Sequence, residues 1–194
     1  YAEAETSITR ALELDSNNAL AHAYYVELLV DSYYSGLGAF DGIEKAIEES
    51  KVAQALAPEA LETHRARGYI LEATGNYDEA ISEYNQAISI NPNIADLYLA
   101  IGRNYRIQGL YDKAVDAFQR ADALNPEDPN PDLLLSRTYA TIGEYGKAMQ
   151  FAESSVANNP ADTNLRGNYG VMLYRNAYWE DAVRELSYVV KGGL

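Results

Sequence analysis

Apolar residues recur three and four apart in short bursts along this chain, and proline, glycine and asparagine separate the bursts. Ala114, Ala117, Phe118, Ala121 and Leu124 form one such stripe, the spacing that puts side chains on one face of an α-helix. Asn91-Pro92, Asn125-Pro126 and Asn159-Pro160 stop helices, because proline disfavours helical geometry in the residue before it. Gly75, Gly109 and Gly143 fall where a helix should end in a left-handed residue. An aromatic residue two places on, Tyr77, Tyr111 or Tyr145, begins the next helix. The pattern predicts helices in antiparallel pairs and no strand, over approximately 2–14, 18–35, 42–57, 60–74, 77–90, 94–108, 111–124, 129–142, 145–158, 162–176 and 179–191.

The breaks are periodic. Pro58, Pro92, Pro126 and Pro160 are each 34 residues apart, and Ala46, Ala80, Ala114, Ala148 and Ala182 keep the same step. Gly68, Gly102 and Gly170 share a column with Ser136, Tyr84 shares one with Phe118, and Trp179 continues the column of Tyr145. Small residues at Gly68 and Gly102, facing Ala80, Ala87, Ala114 and Ala121, let two helices approach closely.

The stretch from Ala95 to Asp128, with Tyr98, Ile101, Gly102, Tyr105, Gly109, Tyr111, Ala114, Phe118, Ala121 and Pro126, resembles a tetratricopeptide repeat, and the resemblance covers essentially the whole chain. It implies an all-α fold, an α-solenoid of antiparallel helix pairs wound as a right-handed superhelix, acting as a protein-binding scaffold. The chain then reads as a single array: a half repeat over 1–18, a repeat with an eight-residue insertion over 19–60, full repeats over 61–94, 95–128 and 129–162, and a truncated repeat over 163–194. A pentatricopeptide RNA reader would step one residue longer and favour basic helices.

The insertion follows from a step of 42 residues between Ala11-Leu12 and Ala53-Gln54. It reads as an extra turn of the first helix and a glycine-broken aromatic loop carrying Tyr33, Tyr34, Leu37 and Phe40. Two roles stay open for these aromatics, a flap at one end of a binding groove or packing against the longer helix. The last helix carries Trp179, Val183, Leu186, Val189 and Val190 with no polar capping helix after it. That stripe and the unpaired first helix make self-association through the ends an expectation, and assembly of copies an alternative to peptide binding. An accessory arm of a larger enzyme or membrane complex is a further alternative.

Charge narrows the partners. A net charge of −14, from 29 acidic and 15 basic side chains, disfavours nucleic acid and anionic membrane surfaces. The chain has no cysteine, so it offers no thiolate ligand or nucleophile. His22 and His64 share a repeat column without a carboxylate at helical spacing, which reads as packing within the hairpin. Glu48-Glu49 reads as part of a solvated face. With no phosphate loop, nucleophile elbow or metal motif, the sequence implies neither an enzyme nor a cofactor.

Seven arginines, Arg65, Arg67, Arg103, Arg106, Arg137, Arg166 and Arg175, lie on first helices. Family geometry turns first helices inward, which gives a candidate peptide-binding set of Arg65, Tyr69, Leu99, Arg103, Arg106, Leu133, Arg137, Tyr174 and Arg175. Arginine forks there suit an acidic extended segment or a terminal carboxylate, with apolar residues anchoring its side chains. The competing reading has these arginines paired with acids of the protein itself. Tyr24, Tyr69 and Tyr174 fall in inward columns as rigid recognition groups. The family subtype that clamps chaperone tails ending in Glu-Glu-Val-Asp places its contacts at Arg65, Tyr69, Ala100, Asn130 and Leu134, of which only Arg65 suits.

Overall fold

The structure, a computed structural model, describes residues 1–36 and 42–192. Among the described residues there are eleven α-helices and no strand: α1 (Ala2–Leu14), α2 (Ala19–Tyr34), α3 (Gly42–Leu56), α4 (Leu61–Ala73), α5 (Tyr77–Ile90), α6 (Ala95–Ile107), α7 (Tyr111–Leu124), α8 (Pro129–Thr141), α9 (Tyr145–Asn158), α10 (Thr163–Arg175) and α11 (Trp179–Val190). Every helix lies within one residue of its expected bounds, and α2 has the expected additional turn. Leu37 and Phe40 of the aromatic insertion lie outside the described residues.

Local chemistry sets the helix ends. Gly75, Gly109 and Gly143 have φ of 82°, 75° and 84°. After each, the next N–H donates to a carbonyl five residues back, from Asn76 to Leu71, Leu110 to Tyr105 and Glu144 to Tyr139. This double closure of the last turn needs a left-handed residue, which glycine adopts without strain. Ala177 holds the same conformation at φ 65°, at a cost of about 1–2 kcal/mol. Second helices stop differently, as Asn91, Asn125 and Asn159 turn extended ahead of their prolines. Asn18, Asp128 and Asp162 cap α2, α8 and α10, accepting first-turn backbone N–H groups at 2.8–3.1 Å.

The chain forms two compact units, residues 1–104 and 105–194. In the first, α2 pairs with α3 and α4 with α5, and the first helices α2 and α4 stack on each other. Ala23, Val26, Val30, Ala46, Ala53 and Ala66 form one buried cluster there. Gly68 lies directly under the buried Tyr84 ring, whose carbons come within 2.4–2.9 Å of where a side chain would begin. In the second unit α8 pairs with α9 and α10 with α11. Met172 packs on Ala148 and Ala152, and Gly170 receives Leu186. The fold is an α-solenoid of antiparallel helix pairs.

Candidate functional site

Within the hairpins, first-helix cations turn toward second-helix carboxylates. His22 bonds Glu49 at 2.5 Å, His64 bonds Glu83 at 2.7 Å, and Arg166 bonds Glu185 at 2.5 Å. Arg67 also reaches Glu83, at 2.8 Å. The histidines do pack inside their hairpins, but their carboxylate partners come from across the pair, where spacing along one helix could not reveal them. Glu49 departs from the expected solvated face, since it turns inward to His22. Its neighbour Glu48 stays in solvent, beside Lys51. No group of three or more His, Cys, Asp or Glu among the described residues could hold a metal ion.

The first-helix faces of the two units differ in charge. In the first unit Arg65 is nearly buried and donates to Glu27 at 2.6 Å, with its guanidinium 5.4 Å from the Tyr24 ring. Arg103 is more open, 3.7 Å from Glu72. Glu62 and Asp96 add further acids on α4 and α6, so the arginines of this unit are matched rather than in excess. Tyr69 packs edge-on to Tyr84, and burial, with the negative charge of Glu27, pushes its phenol up to about 12. Leu99 is buried and has little surface to offer a ligand. Tyr33 and Tyr34 are exposed and meet edge to face at 5.7 Å.

Burial also raises the Glu27 carboxyl from its ordinary 4.5 to about 7, and Arg65 offsets only part of that rise. The folded chain therefore holds a proton that the unfolded chain has released between those two values. Stability contributed by this group falls as pH rises from about 4.5 to 7, and is flat above. Urea unfolding at pH 5 and pH 8 should show the parent losing on the order of 2 kcal/mol relative to Glu27→Gln. Parallel pH dependence in the two proteins would contradict the assignment.

In the second unit the face is cationic. Arg137 and Thr141 on α8 are one helical turn apart, as are Val171 and Arg175 on α10, and all four are exposed. Arg137 donates to Asn164 at 3.1 Å, and Arg175 stands 5.6 Å from the Tyr145 ring centre. Tyr174 is 56% exposed and meets Trp179 edge to face at 5.0 Å. Asp132 is the one acid within α8 and is buried, and α10 contains none. Leu133 is buried, and Arg106 closes α6 half-buried. Val171 and Asn164, missed by sequence reasoning, could have been found as the column mate of Arg137 and the first-turn residue beneath it. At the end of this unit Trp179, Val183 and Val190 are exposed, whereas Leu186 turns inward onto Gly170. Leu186 therefore leaves the stripe expected to mediate self-association.

Tetratricopeptide repeat family models match residues 43–94, 65–129 and 105–167, an unbroken span from 43 to 167 that exceeds half the chain. Among curated proteins the sequence has no match. Several solved structures share the fold. PilW, described as a widely conserved type IV pilus biogenesis factor, is 20% identical with a TM-score of 0.81, over 97% of this chain and 84% of that one. PilF of Pseudomonas aeruginosa is 18% identical with a TM-score of 0.75, over 93% and 79%. YrrB, described as having an unusual peptide-binding site, is 20% identical with a TM-score of 0.63, over 95% and 91%. Helix pairing, the 34-residue step and these matches converge, and the chain belongs to the tetratricopeptide repeat family.

Proposed function

We propose that this chain holds an extended, carboxylate-bearing peptide segment of a partner protein against the first-helix face of its second unit. A non-catalytic protein-interaction scaffold is the role typical of the family. The finer reading rests on one observation: Arg137 and Arg175 stand exposed on adjacent helices whose single acid, Asp132, is buried. Each guanidinium has five donors in a planar fork, so one bond to Asn164 leaves Arg137 able to grip a carboxylate with two parallel bonds. Val171 and Tyr174, exposed on the helix that carries Arg175, supply apolar surface. The charge of −14 on the whole chain does not forbid an acidic ligand, because screening confines repulsion to about 8 Å at physiological salt. The likeness to YrrB, with its peptide-binding site, supports the ligand class.

The test uses a fluorescein-labelled extended peptide bearing two glutamates and a free C-terminus, with its glutamine counterpart as control. Anisotropy should show the glutamate peptide binding more tightly. Arg137→Ala and Arg175→Ala should each weaken it about tenfold, near 1.5 kcal/mol, with circular dichroism unchanged. Equal binding of the two peptides, or unchanged affinity in both variants, would overturn the proposal.

A further inference from the structure

Asn164, Val171 and Arg175 stand at steps of seven and four along α10, which places them within about 20° of one line on the helix surface. All three are exposed. Arg137 of α8 meets one end of that line, where it donates to Asn164 at 3.1 Å. The other end is fixed against α9. Asn176, next after Arg175, donates to the Tyr145 carbonyl at 2.9 Å, and the Arg175 guanidinium stands 5.6 Å from the Tyr145 ring centre. The two cations are thus tied to opposite ends of α10, and from residue 164 to residue 175 the helix rises about 16 Å. Val171 lies on the line between them, one turn from Arg175.

The repeat keeps this line open. Val171 and Arg175 occupy the columns of Arg137 and Thr141, and those two are exposed even though α10 bonds to α8 through Arg137 with Asn164 and Asn168 with Ser136. The acids at its two ends are already engaged. Asp162 accepts from the Asn164 and Leu165 N–H groups, and Glu144, which precedes Tyr145, stands 3.7 Å from Lys147. Among the described residues neither Arg137 nor Arg175 forms an ion pair.

Spacing then selects the ligand. An extended segment advances about 3.3 Å per residue and turns alternate side chains to one face. Carboxylates one or two residues apart span at most about 7 Å, so one such pair reaches both forks only by pulling the arginines off Asn164 and Tyr145. Carboxylates four residues apart span about 13 Å and six apart about 20 Å, and flexible side chains close the small difference from 16 Å. Resting on the reading that this face holds a carboxylate-bearing segment, we propose that its ligand carries two acidic side chains four to six residues apart on one face of an extended stretch. An apolar residue between them meets Val171. An adjacent acidic pair engages one fork alone.

Fluorescein-labelled peptides about ten residues long test it, all of one composition, with two glutamates one, two, four or six residues apart. Their C-termini are amidated, so that only the glutamates carry carboxylates, and each has a glutamine counterpart. Spacings of four or six should bind about tenfold more tightly than the adjacent pair. With a spaced peptide, Arg137→Ala and Arg175→Ala should each weaken binding about tenfold and together about a hundredfold. With the adjacent pair the double variant should lose no more than the worse single one. Each loss should vanish when one glutamate, a different one for each variant, is changed to glutamine. Both variants should keep the parent's circular dichroism, since the changed side chains are exposed. If every glutamate peptide outbinds its glutamine counterpart but affinity is equal at all spacings, or highest for the adjacent pair, the spaced ligand is overturned and the acidic-peptide reading stands. If no glutamate peptide outbinds its counterpart, both fall.

Discussion

Tyr84→Ala lowers the unfolding free energy by about 3–5 kcal/mol, the largest effect expected of a single truncation in this chain. The Tyr84 ring is fully buried, touches the bare backbone of Gly68 and meets Tyr69 edge-on at 6.0 Å. Its hydroxyl donates to Glu72 at 2.9 Å. Gly68 has no side chain to move into the space left behind, so the cavity cannot collapse, which places the cost at the upper part of that range. Tyr84→Phe separates the terms, keeping the ring and losing the charge-assisted bond for about 1.5 kcal/mol. Urea denaturation reads both, and a loss below about 1 kcal/mol for Tyr84→Ala would contradict the packing described.

Glu72→Ala comes next, at about 3 kcal/mol. One carboxylate oxygen accepts from Tyr84 and from the Nδ2 of the fully buried Asn104, each at 2.9 Å, and Arg103 stands 3.7 Å from the other oxygen. Removing the carboxylate leaves two buried donors unsatisfied at about 1–3 kcal/mol each, partly relieved by relaxation. Glu72→Gln retains an oxygen and should cost roughly half as much. Because both variants act through the same oxygen, Glu72→Gln and Tyr84→Phe should couple by about 1 kcal/mol in a double-mutant cycle. Simple additivity would mean that the hydroxyl is held by something else.

The helices were legible because their stops are chemical. Proline after asparagine, and glycine two places before an aromatic residue, mark ends that no packing has to decide, and a 34-residue column repeats each mark. Contacts between helices were read less well. Arg65 finds Glu27 and His22 finds Glu49 across separations of 38 and 27 residues, beyond the reach of helical spacing. A signal for the hairpin pairs was nevertheless present in the columns. Positions 22, 64 and 166 hold His, His and Arg where 49, 83 and 185 hold Glu. In the same columns Tyr98 faces Ala117 and Asp132 faces Phe151, so the acid occurs only where a cation opposes it. Leu186 was misplaced for a related reason. Local periodicity put it on the outer stripe with Val183 and Val190, while its column, shared with Tyr84 and Phe118, is the one that packs inside the hairpin. Leu99 and Leu133 occupy the column of Arg65, and in both units that position is buried when apolar.

Charge segregation onto first helices was visible in the sequence, but its meaning differs between the units. Glu27 and Glu72 pair with Arg65 and Arg103 in the first unit, whereas α8 and α10 present arginine without exposed acid. Neutralised pairs contribute positioning and pH sensitivity, and exposed guanidinium groups are left for recognition. The proposed peptide site lies on the second unit for this reason.

The most direct measurement of that claim is an amide chemical-shift titration of the isotopically labelled chain with the glutamate peptide. The account predicts saturable shifts confined to α8 and α10, centred on Arg137, Asn164, Val171, Tyr174 and Arg175, and much smaller ones with the glutamine peptide. Shifts centred instead on the second helices, around Lys147 and Arg184, or equal shifts with both peptides, would contradict it.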